Sequence, residues 1–157
     1  MLDETVKSVR GISSELRPSL LDDLGLIAAM EWQLTEFEKR VGIKTYFKPD
    51  DTEIKLPKSI RTGLFRILQE SLTNVARHSN AKRVTVSLHM ENGSIVLSVD
   101  DNGVGFDKQN TIGKKTLGIL GMQERTSMMG GTYEISGKSG KGTKVVATIP
   151  LDNSNKN

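Results

Sequence analysis

The feature that most limits how this chain can fold is a change in the spacing of its apolar residues. Up to Ser79 they recur every three or four positions, which is typical of helices with one buried face. Over Val84–Met90 and Ile95–Val99 they alternate with polar residues, and Asn92-Gly93 between these runs predicts a hairpin. Helices that flank paired strands, with few β-α-β repeats, indicate an α+β fold.

The same spacing predicts the order of elements along the chain. Helices are expected over about 2–17, 22–40, 58–79 and 118–129, with Pro18 closing the first and Gly42 stopping the second. Strands are expected over about 43–47, 84–90, 95–99, 133–136 and 144–149. We therefore expect a two-layer α/β sandwich, with the helices on one face of a mixed sheet. The domain should cover 18–151, and the polar tail 152–157 should be disordered.

The composition excludes several classes of protein. The chain has no cysteine, which excludes a disulfide scaffold, and its two histidines, His78 and His89, lack a further metal ligand at useful spacing. There is no apolar run of the ~20 residues that a membrane span needs, and no signal peptide pattern, so we expect a cytoplasmic chain without membrane contact. The 22 basic and 19 acidic residues are interleaved and only 4% of residues are aromatic, which argues against nucleic-acid binding.

The first candidate site lies on the helix predicted over 58–79. Glu70, Asn74 and Arg77 fall together with Arg66 on the side opposite the apolar stripe. A solvated helix face also explains this pattern, and for Arg66 we prefer that explanation. The amide oxygen of Asn74 is a hard, neutral ligand that suits Mg²⁺, while Glu70 could hold a water and Arg77 could meet a phosphate.

The second candidate site, Asp101-Asn102-Gly103-Val104-Gly105-Phe106, follows directly on a predicted strand. Gly103 and Gly105 would let the backbone approach a planar ligand closely, and Asp101 could accept a hydrogen bond from an exocyclic amine. An ordinary Asp-Asn-Gly turn explains the spacing equally well. A dinucleotide-binding motif is excluded, because Lys108 stands where its third glycine is needed.

The third candidate site is Gly118-Ile119-Leu120-Gly121 at the predicted start of a helix, where unpaired backbone N–H groups and the helix dipole favour an anion. Loop-to-helix packing is the simpler explanation. The preceding stretch 106–117 is polar and has no period, which predicts a mobile loop. Gly140-Lys141-Gly142-Thr143 is the weakest signal, since glycines before a strand usually form a turn.

The order and spacing of these motifs resemble the ATP-binding domain of bacterial two-component sensor histidine kinases, which share the Bergerat fold with gyrase and mismatch-repair ATPases. Residues 65–79 resemble the N box, 101–106 the first glycine box, 116–125 the second and Gly142-Thr143 the third. Upstream motifs resemble the subfamily of nitrate- and lipid-responsive sensor kinases: Leu16-Arg17-Pro18, Leu24-Gly25-Leu26 and Glu31-Trp32.

The resemblance implies a role for each site residue. Asn74 would ligate Mg²⁺, Asp101 would hold the adenine amino group of ATP, and Glu70 matches the acidic residue of the N box and would be catalytic. The other residues implied in nucleotide binding are Arg77, His78, Gly103, Gly105, Phe106, Gly118, Leu120, Gly121 and Thr143. Residues 107–117 would form a lid over ATP, hinged at the glycines of the second box.

The same resemblance implies a protein histidine kinase that passes the γ-phosphoryl group of ATP to a histidine on an upstream dimerisation domain. Residues 1–17 would be the end of that domain's second helix, and the acceptor histidine would lie outside this chain, since His78 belongs to the N box and His89 to a strand. The parent would be a homodimer that serves a response regulator, free in the cytoplasm or as the cytoplasmic part of a membrane-anchored sensor.

Two alternatives share the same fold. An anti-sigma-type serine kinase would bind its protein substrate directly, but it would begin at its own strand and not inside a helix. A nucleotide-binding pseudo-kinase module would lack turnover, and the presence of Glu70, Asn74 and Asp101 argues against it.

Overall fold

The computed structural model describes residue 21 and residues 23–50, 55–105, 114–137 and 140–151. Its helices are α1 (Leu26–Val41), α2 (Lys58–Asn74), which continues into a π-helical turn (Val75–Ser79), and α3 (Lys114–Met128). Its strands are β1 (Lys44–Pro49), β2 (Arg83–Glu91), β3 (Ser94–Asp101), β4 (Thr132–Gly137) and β5 (Thr143–Pro150). The predictions for 1–17, 106–113 and 152–157 lie outside the described residues.

The five strands form one mixed sheet in the order β1-β2-β3-β5-β4. β1 pairs with β2 in parallel, and the other neighbours are antiparallel. The predicted hairpin joins β2 to β3 through Asn92 at φ 52° and Gly93 at φ 80°, the positive angles that a tight hairpin turn requires. The parallel pair makes β1-α2-β2 a crossover unit, which the element order alone did not predict.

The core lies between the helices and one face of the sheet. In β2 the inward positions Val84, Val86 and Leu88 are fully buried, and the residues between them are at least partly exposed. The largest fully buried side chains come from helices and strands alike: Phe37, Phe65, Met30, Leu64, Ile67, Leu68, Leu72, Leu88, Ile95, Leu97, Ile149 and Val84. The predicted two-layer α/β sandwich is therefore confirmed. No helix in the described ranges is long and apolar enough to cross a membrane.

Two helix boundaries differ from the prediction. α1 begins at Leu26 because Gly25, at φ 92°, interrupts the helical path three residues after its expected start at residue 22. α3 is already helical at Lys114, so the expected start at Gly118 is wrong, and residues 114–117 of the predicted lid belong to a helix. The first turn of α3 has a single apolar residue, Leu117, and its side chain is 68% exposed. The turn therefore has no buried apolar face that the spacing of the sequence could reveal.

Candidate functional site

A cleft opens where the C-terminal end of α2 meets the ends of β3 and β5. Four of the predicted site residues line it: Asn74, Asp101, Gly105 and Thr143. Its apolar walls come from Val75, Val99, Ile135 and Val145, and Ser71 and Ser79 add hydroxyl groups. An apolar cavity with a few convergent polar groups is typical of a small-molecule site.

Asp101 is the buried carboxylate of this cleft. It is the last residue of β3, is only 7% exposed, and pairs with Thr143 across the antiparallel β3–β5 ladder. Its Oδ1 accepts a hydrogen bond of 2.8 Å from the backbone N–H of Gly103, which fixes the orientation of the carboxylate. A buried carboxylate held in this way is suited to receive a hydrogen bond from an exocyclic amine.

The glycines after Asp101 have separate tasks. A Cβ on Gly103 would lie 2.1 Å from the carbonyl oxygen of Ser79, so this residue must be glycine for the turn to pack against the end of α2. The next residue, Val104, donates its N–H to the same carbonyl at 2.6 Å. Gly105, at φ 92°, lines the cleft itself. Gly103 therefore orients the Asp101 carboxylate through its backbone N–H, and Gly105 lines the cleft where a ligand could bind.

The N-box residues meet α3 at a single point. A Cβ on Gly118 would lie 2.9 Å from Oε2 of Glu70 and 3.9 Å from Oδ1 of Asn74. Both side-chain oxygens thus point at Gly118 from successive turns of α2. Carboxylate and amide oxygens are ligand types that Mg²⁺ accepts, but the described residues hold no group of three acidic, histidine or cysteine residues that could bind a metal. A cation here needs ligand phosphates and water to complete its shell.

A π-helical turn shapes the end of α2. Ser79 is buried, donates its Oγ hydrogen to the carbonyl of Val75 at 2.8 Å, and accepts the N–H of Ala81 at 3.0 Å. Asn80 then ends the segment in the left-handed conformation at φ 57°. Single π turns inside helices often occur at functional sites, and the sequence predicted a regular helix here.

A methionine sulfur connects the elements that surround the cleft. Sδ of Met122 in α3 accepts hydrogen bonds of 3.6 Å from both Ser71 Oγ and Tyr133 Oη. Burial raises the pKa of Tyr133, and the charge of Glu70 raises it further. The tyrosine therefore stays protonated and can donate its hydrogen bond. Through Met122, the two hydrogen bonds connect α2, α3 and β4.

The sequence did not single out Ser71 or Ser79 as site residues. At about 100° per residue both serines fall on the apolar stripe of the helix, where a hydroxyl has to find a partner inside the protein. A polar residue on a buried stripe was the available signal.

Several predicted residues lie away from the cleft. Arg77 and Leu120 are exposed and line neither this cleft nor the neighbouring cavity between α2 and α3. Gly118 and Gly121 line that neighbouring cavity. Because α3 starts at Lys114, they are not at a helix N-terminus, and the anion argument made for them is wrong. Phe106 and the side chain of His78 lie outside the described residues.

The amino-acid sequence of the chain is similar to those of curated sensor histidine kinases. The chain is 34% identical over 151 residues to the oxygen sensor histidine kinase NreB of Staphylococcus carnosus and covers 44% of that protein. It is 38% identical to the sensor histidine kinase MctS of Rhizobium johnstonii and to LiaS of Bacillus subtilis, covering 32% and 41% of them. It therefore spans less than half of the length of these relatives.

Solved structures share the fold. The histidine kinase domain of the Erythrobacter litoralis EL346 blue-light activated histidine kinase matches with a TM-score of 0.69 at 21% identity, over 80% of this chain and 61% of that one. The Acinetobacter baumannii histidine kinase AdeS matches with a TM-score of 0.66 at 15% identity, over 96% of this chain and 82% of that one.

A family model covers most of the fold. The model of histidine kinase-, DNA gyrase B- and HSP90-like ATPases matches residues 59–153, which include α2 from its second residue, the π turn, every cleft residue and the sheet from β2 to β5. With the sensor kinases among its relatives, the chain belongs to this family of ATPases.

Proposed function

We propose that the cleft binds ATP with Mg²⁺ and that residues 18–151 form the catalytic domain of a sensor histidine kinase. The observation that carries this is the convergence of Asn74, Asp101, Gly105 and Thr143 on one cleft. Asp101 is proposed to accept the adenine amino group, since it is buried and oriented by Gly103. Gly105 and Thr143 complete the pocket around the base.

Asn74 is proposed to ligate the metal at the phosphate end of the cleft, with Glu70 beside it. Bound Mg²⁺ would neutralise charge on the phosphates and orient the γ-phosphoryl group. Glu70 is proposed as the catalytic acidic residue of the N box, whose carboxylate would hold a water or accept a proton near the transferred group. Arg77 and His78 are proposed to approach the phosphates.

The proposed reaction moves the γ-phosphoryl group to a histidine on a separate dimerisation domain. An imidazole nitrogen of that histidine attacks the γ-phosphorus, the bond from phosphorus to the β,γ-bridging oxygen breaks, and ADP leaves. Such transfers depend on positioning and charge stabilisation more than on covalent help from the protein. The domain's task is therefore to hold the nucleotide and present its terminal phosphate.

The wider assignment concerns the parent protein. We propose that residues 1–17 belong to the second helix of the dimerisation domain, that the parent is a homodimer, and that the phosphoryl group passes on to a response regulator. We place the chain in the cytoplasm, where ATP is available. The sensor histidine kinase relatives support a partner domain and a response regulator in general.

The test is incubation of the chain with γ-labelled ATP and Mg²⁺, alone and together with a histidine-bearing dimerisation domain of the parent kinase. The chain alone should acquire no label, because His78 belongs to the N box and His89 to β2, and neither is the proposed acceptor histidine. The added domain should be labelled slowly and in proportion to its concentration, since no covalent link raises the local concentration of the acceptor. The Asn74→Ala chain serves as the control that loses the metal ligand.

The chemical stability of the label separates histidine from serine. Phosphohistidine is lost in acid and survives base, so a label with this behaviour on the added domain supports the proposal. Rapid self-labelling of the chain, or an acid-stable phosphoserine on an added protein, would favour the anti-sigma-type serine kinase. Binding of ATP without any transfer would favour a pseudo-kinase.

A further inference from the structure

A groove lies between the start of α2 and the end of α3, far from the cleft described above. Gly63 in α2 packs against Met129 just after α3, and the end of α2 meets the start of α3, so these helices are antiparallel. The groove has a volume of about 1250 Å³ and a mainly apolar lining. From Ile60 in the groove to Asn74 in the cleft, α2 runs for about four turns, or roughly 21 Å. A partner bound in the groove would therefore leave the cleft open.

Met128 is an exposed apolar side chain on the rim of this groove. It is 81% exposed, the highest value among the large apolar side chains in the described ranges. The next residue, Met129, is half-buried, because glycine at position 63 leaves room for its sulfur. Methionine adapts readily to the shape of a partner and is common on protein-binding surfaces. The rim of the groove is therefore suited to contact another protein.

Opposite charges lie on the two sides of Met128. Gly118 and Met129 mark the side of α3 that faces α2. At about 100° per residue, Arg125, Met128 and Glu124 then follow one another around α3, leading away from α2. Arg125 and Glu124 are exposed, and neither forms an ion pair within the described part of the chain. The side of Met128 towards α2 is therefore positive, and the far side is negative.

The start of α2 adds to the positive side. Pro57 at its N-cap has no side-chain acceptor, and the first turn contains no acid, so the helix itself does not offset the partial positive charge of this end. Pro57, Lys58 and Ser59 line the same groove as Arg125. A carboxylate from a partner is suited to this position.

A second copy of this chain offers what each side of this face lacks. Its Glu124 supplies the carboxylate, and its Met128 supplies the apolar surface. Symmetric dimers join the same patch from both copies, so one patch has to carry complementary halves. We infer that this face of α3 and the groove beside it form a weak self-association site. Met128 packs against the partner's Met128, and Arg125 pairs with the partner's Glu124.

The charges also determine the direction of the two-fold axis. An axis along α3 exchanges the two sides of Met128 between the copies, so each Arg125 faces the partner's Glu124. An axis across α3 keeps each side in place and would oppose like charges. The two α3 helices are therefore parallel in this contact. In the homodimer proposed for the parent, the tether raises the local concentration to roughly millimolar, which is sufficient for a weak contact.

Sedimentation equilibrium of the whole chain without nucleotide tests the inference. Between about 20 µM and 1 mM, the average mass should rise towards that of two chains, with a dissociation constant on the order of 0.1–1 mM. Glu124→Arg and Arg125→Glu should each weaken the association at least about fivefold, because each opposes like charges. An equimolar mixture of these two variants should associate again, since opposite charges then face each other. A mass of one chain at every concentration, or an association that both variants leave unchanged, would overturn the inference.

Exposed charges on α1 provide matched controls. Glu31→Arg and Arg40→Glu change the net charge by the same amounts and should leave the association unchanged. If they weaken it as much as the α3 variants do, the effect comes from net charge and the site is disproved.

Cysteine oxidation locates the contact, because the chain has no cysteine of its own. Met128→Cys should form disulfide-linked dimers several times faster than Leu24→Cys, a 63% exposed position before α1 and outside the groove. Equal rates would contradict the contact. Because no nucleotide is present, these results are independent of ATP binding. A failure of this inference and a failure of the proposed function are therefore distinguishable.

Discussion

At the scale of single residues, Asp101 is proposed to determine which base the cleft accepts. Replacing it with asparagine would remove the proposed charge-assisted hydrogen bond to the adenine amine, and we expect a loss of about 1.5–3 kcal/mol or roughly ten- to a hundredfold in ATP affinity. The amide oxygen of Asp101→Asn can still accept the Gly103 N–H, so the turn should survive. Calorimetry measures the affinity, and unchanged ATP binding in a folded variant would disprove the assignment.

Asn74 should matter for the metal and not for the base. The Asn74→Ala chain is expected to lose the thermal stabilisation that Mg²⁺ adds to ADP, because the amide oxygen is assigned to the cation. Stabilisation by adenosine should remain, since adenosine carries no phosphate and calls for no metal. Thermal shift assays with adenosine, ADP and ADP plus Mg²⁺ make the comparison. Equal losses with all three ligands would show that Asn74 is structural.

The site residues found from the sequence share one property: they lie in motifs with fixed local spacing. Asp101 with its glycines, and Asn74 one turn after Glu70, became candidates through such spacing, and the resemblance of the whole set of motifs to a known family suggested their roles. Ser71 and Tyr133 meet only through Met122 on another helix, and this contact depends on how α2, α3 and β4 pack. Local spacing carries no information about such long-range packing.

At the scale of elements, the turn after β3 depends on its contact with the end of α2. A methyl group in Gly103→Ala would collide with the Ser79 carbonyl, and neither backbone can move without breaking the Val104 hydrogen bond. We expect a loss of about 1–3 kcal/mol in the free energy of unfolding, measured by urea denaturation.

Gly121→Ala is the matched control for that variant. Its Cβ meets nothing, and alanine in a helix interior should raise the free energy of unfolding by roughly 0.5–1 kcal/mol. Equal effects of the two substitutions would contradict the close packing at Gly103.

The junction between α1 and β1 should respond to acid. Thr45 donates its N–H at 3.1 Å and its Oγ hydrogen at 2.9 Å to Oε1 of Glu38, which lowers the pKa of that carboxyl below 4.5. A lowered folded-state pKa stabilises the fold above the unfolded value and loses this effect as the pH falls through the folded value.

The melting temperature should therefore exceed that of Glu38→Gln near neutral pH, and the difference should shrink below pH 4.5. Circular dichroism melts across the pH range measure it. In a Thr45→Val background this pH dependence should be smaller, because the hydrogen bond from the Thr45 hydroxyl to Glu38 is lost. A difference that is constant with pH would contradict this arrangement.

Elements were predictable where a residue fixes the backbone. Gly42, at φ 83°, ends α1, and Asn92-Gly93 forms the hairpin, as the sequence predicted. The start of α3 was missed because its first turn carries an exposed leucine and no apolar period. The π turn was missed because it depends on the hydrogen bonds that Ser79 makes to the chain on both sides.

At the scale of the whole molecule, the number and type of elements predicted the layers but not the sheet order. Alternation over β2 and β3 assigns one face of each strand to the core, which fixes a sheet with helices on one side. The parallel pairing of β1 with β2, and the placement of β5 between β3 and β4, join residues far apart in the chain. The spacing of apolar residues shows which face of a strand is buried, but it does not show which strands are neighbours in the sheet.

We propose that the whole chain carries one adenine-specific ATP site, in the cleft that contains Asp101. Its most direct test is a calorimetric titration of the chain with Mg-ATP and, separately, with Mg-GTP. We predict a single site that binds ATP at least about tenfold more tightly than GTP, because the keto oxygen of guanine would face a buried carboxylate. Equal affinities for ATP and GTP, or no binding of either, would contradict the claim.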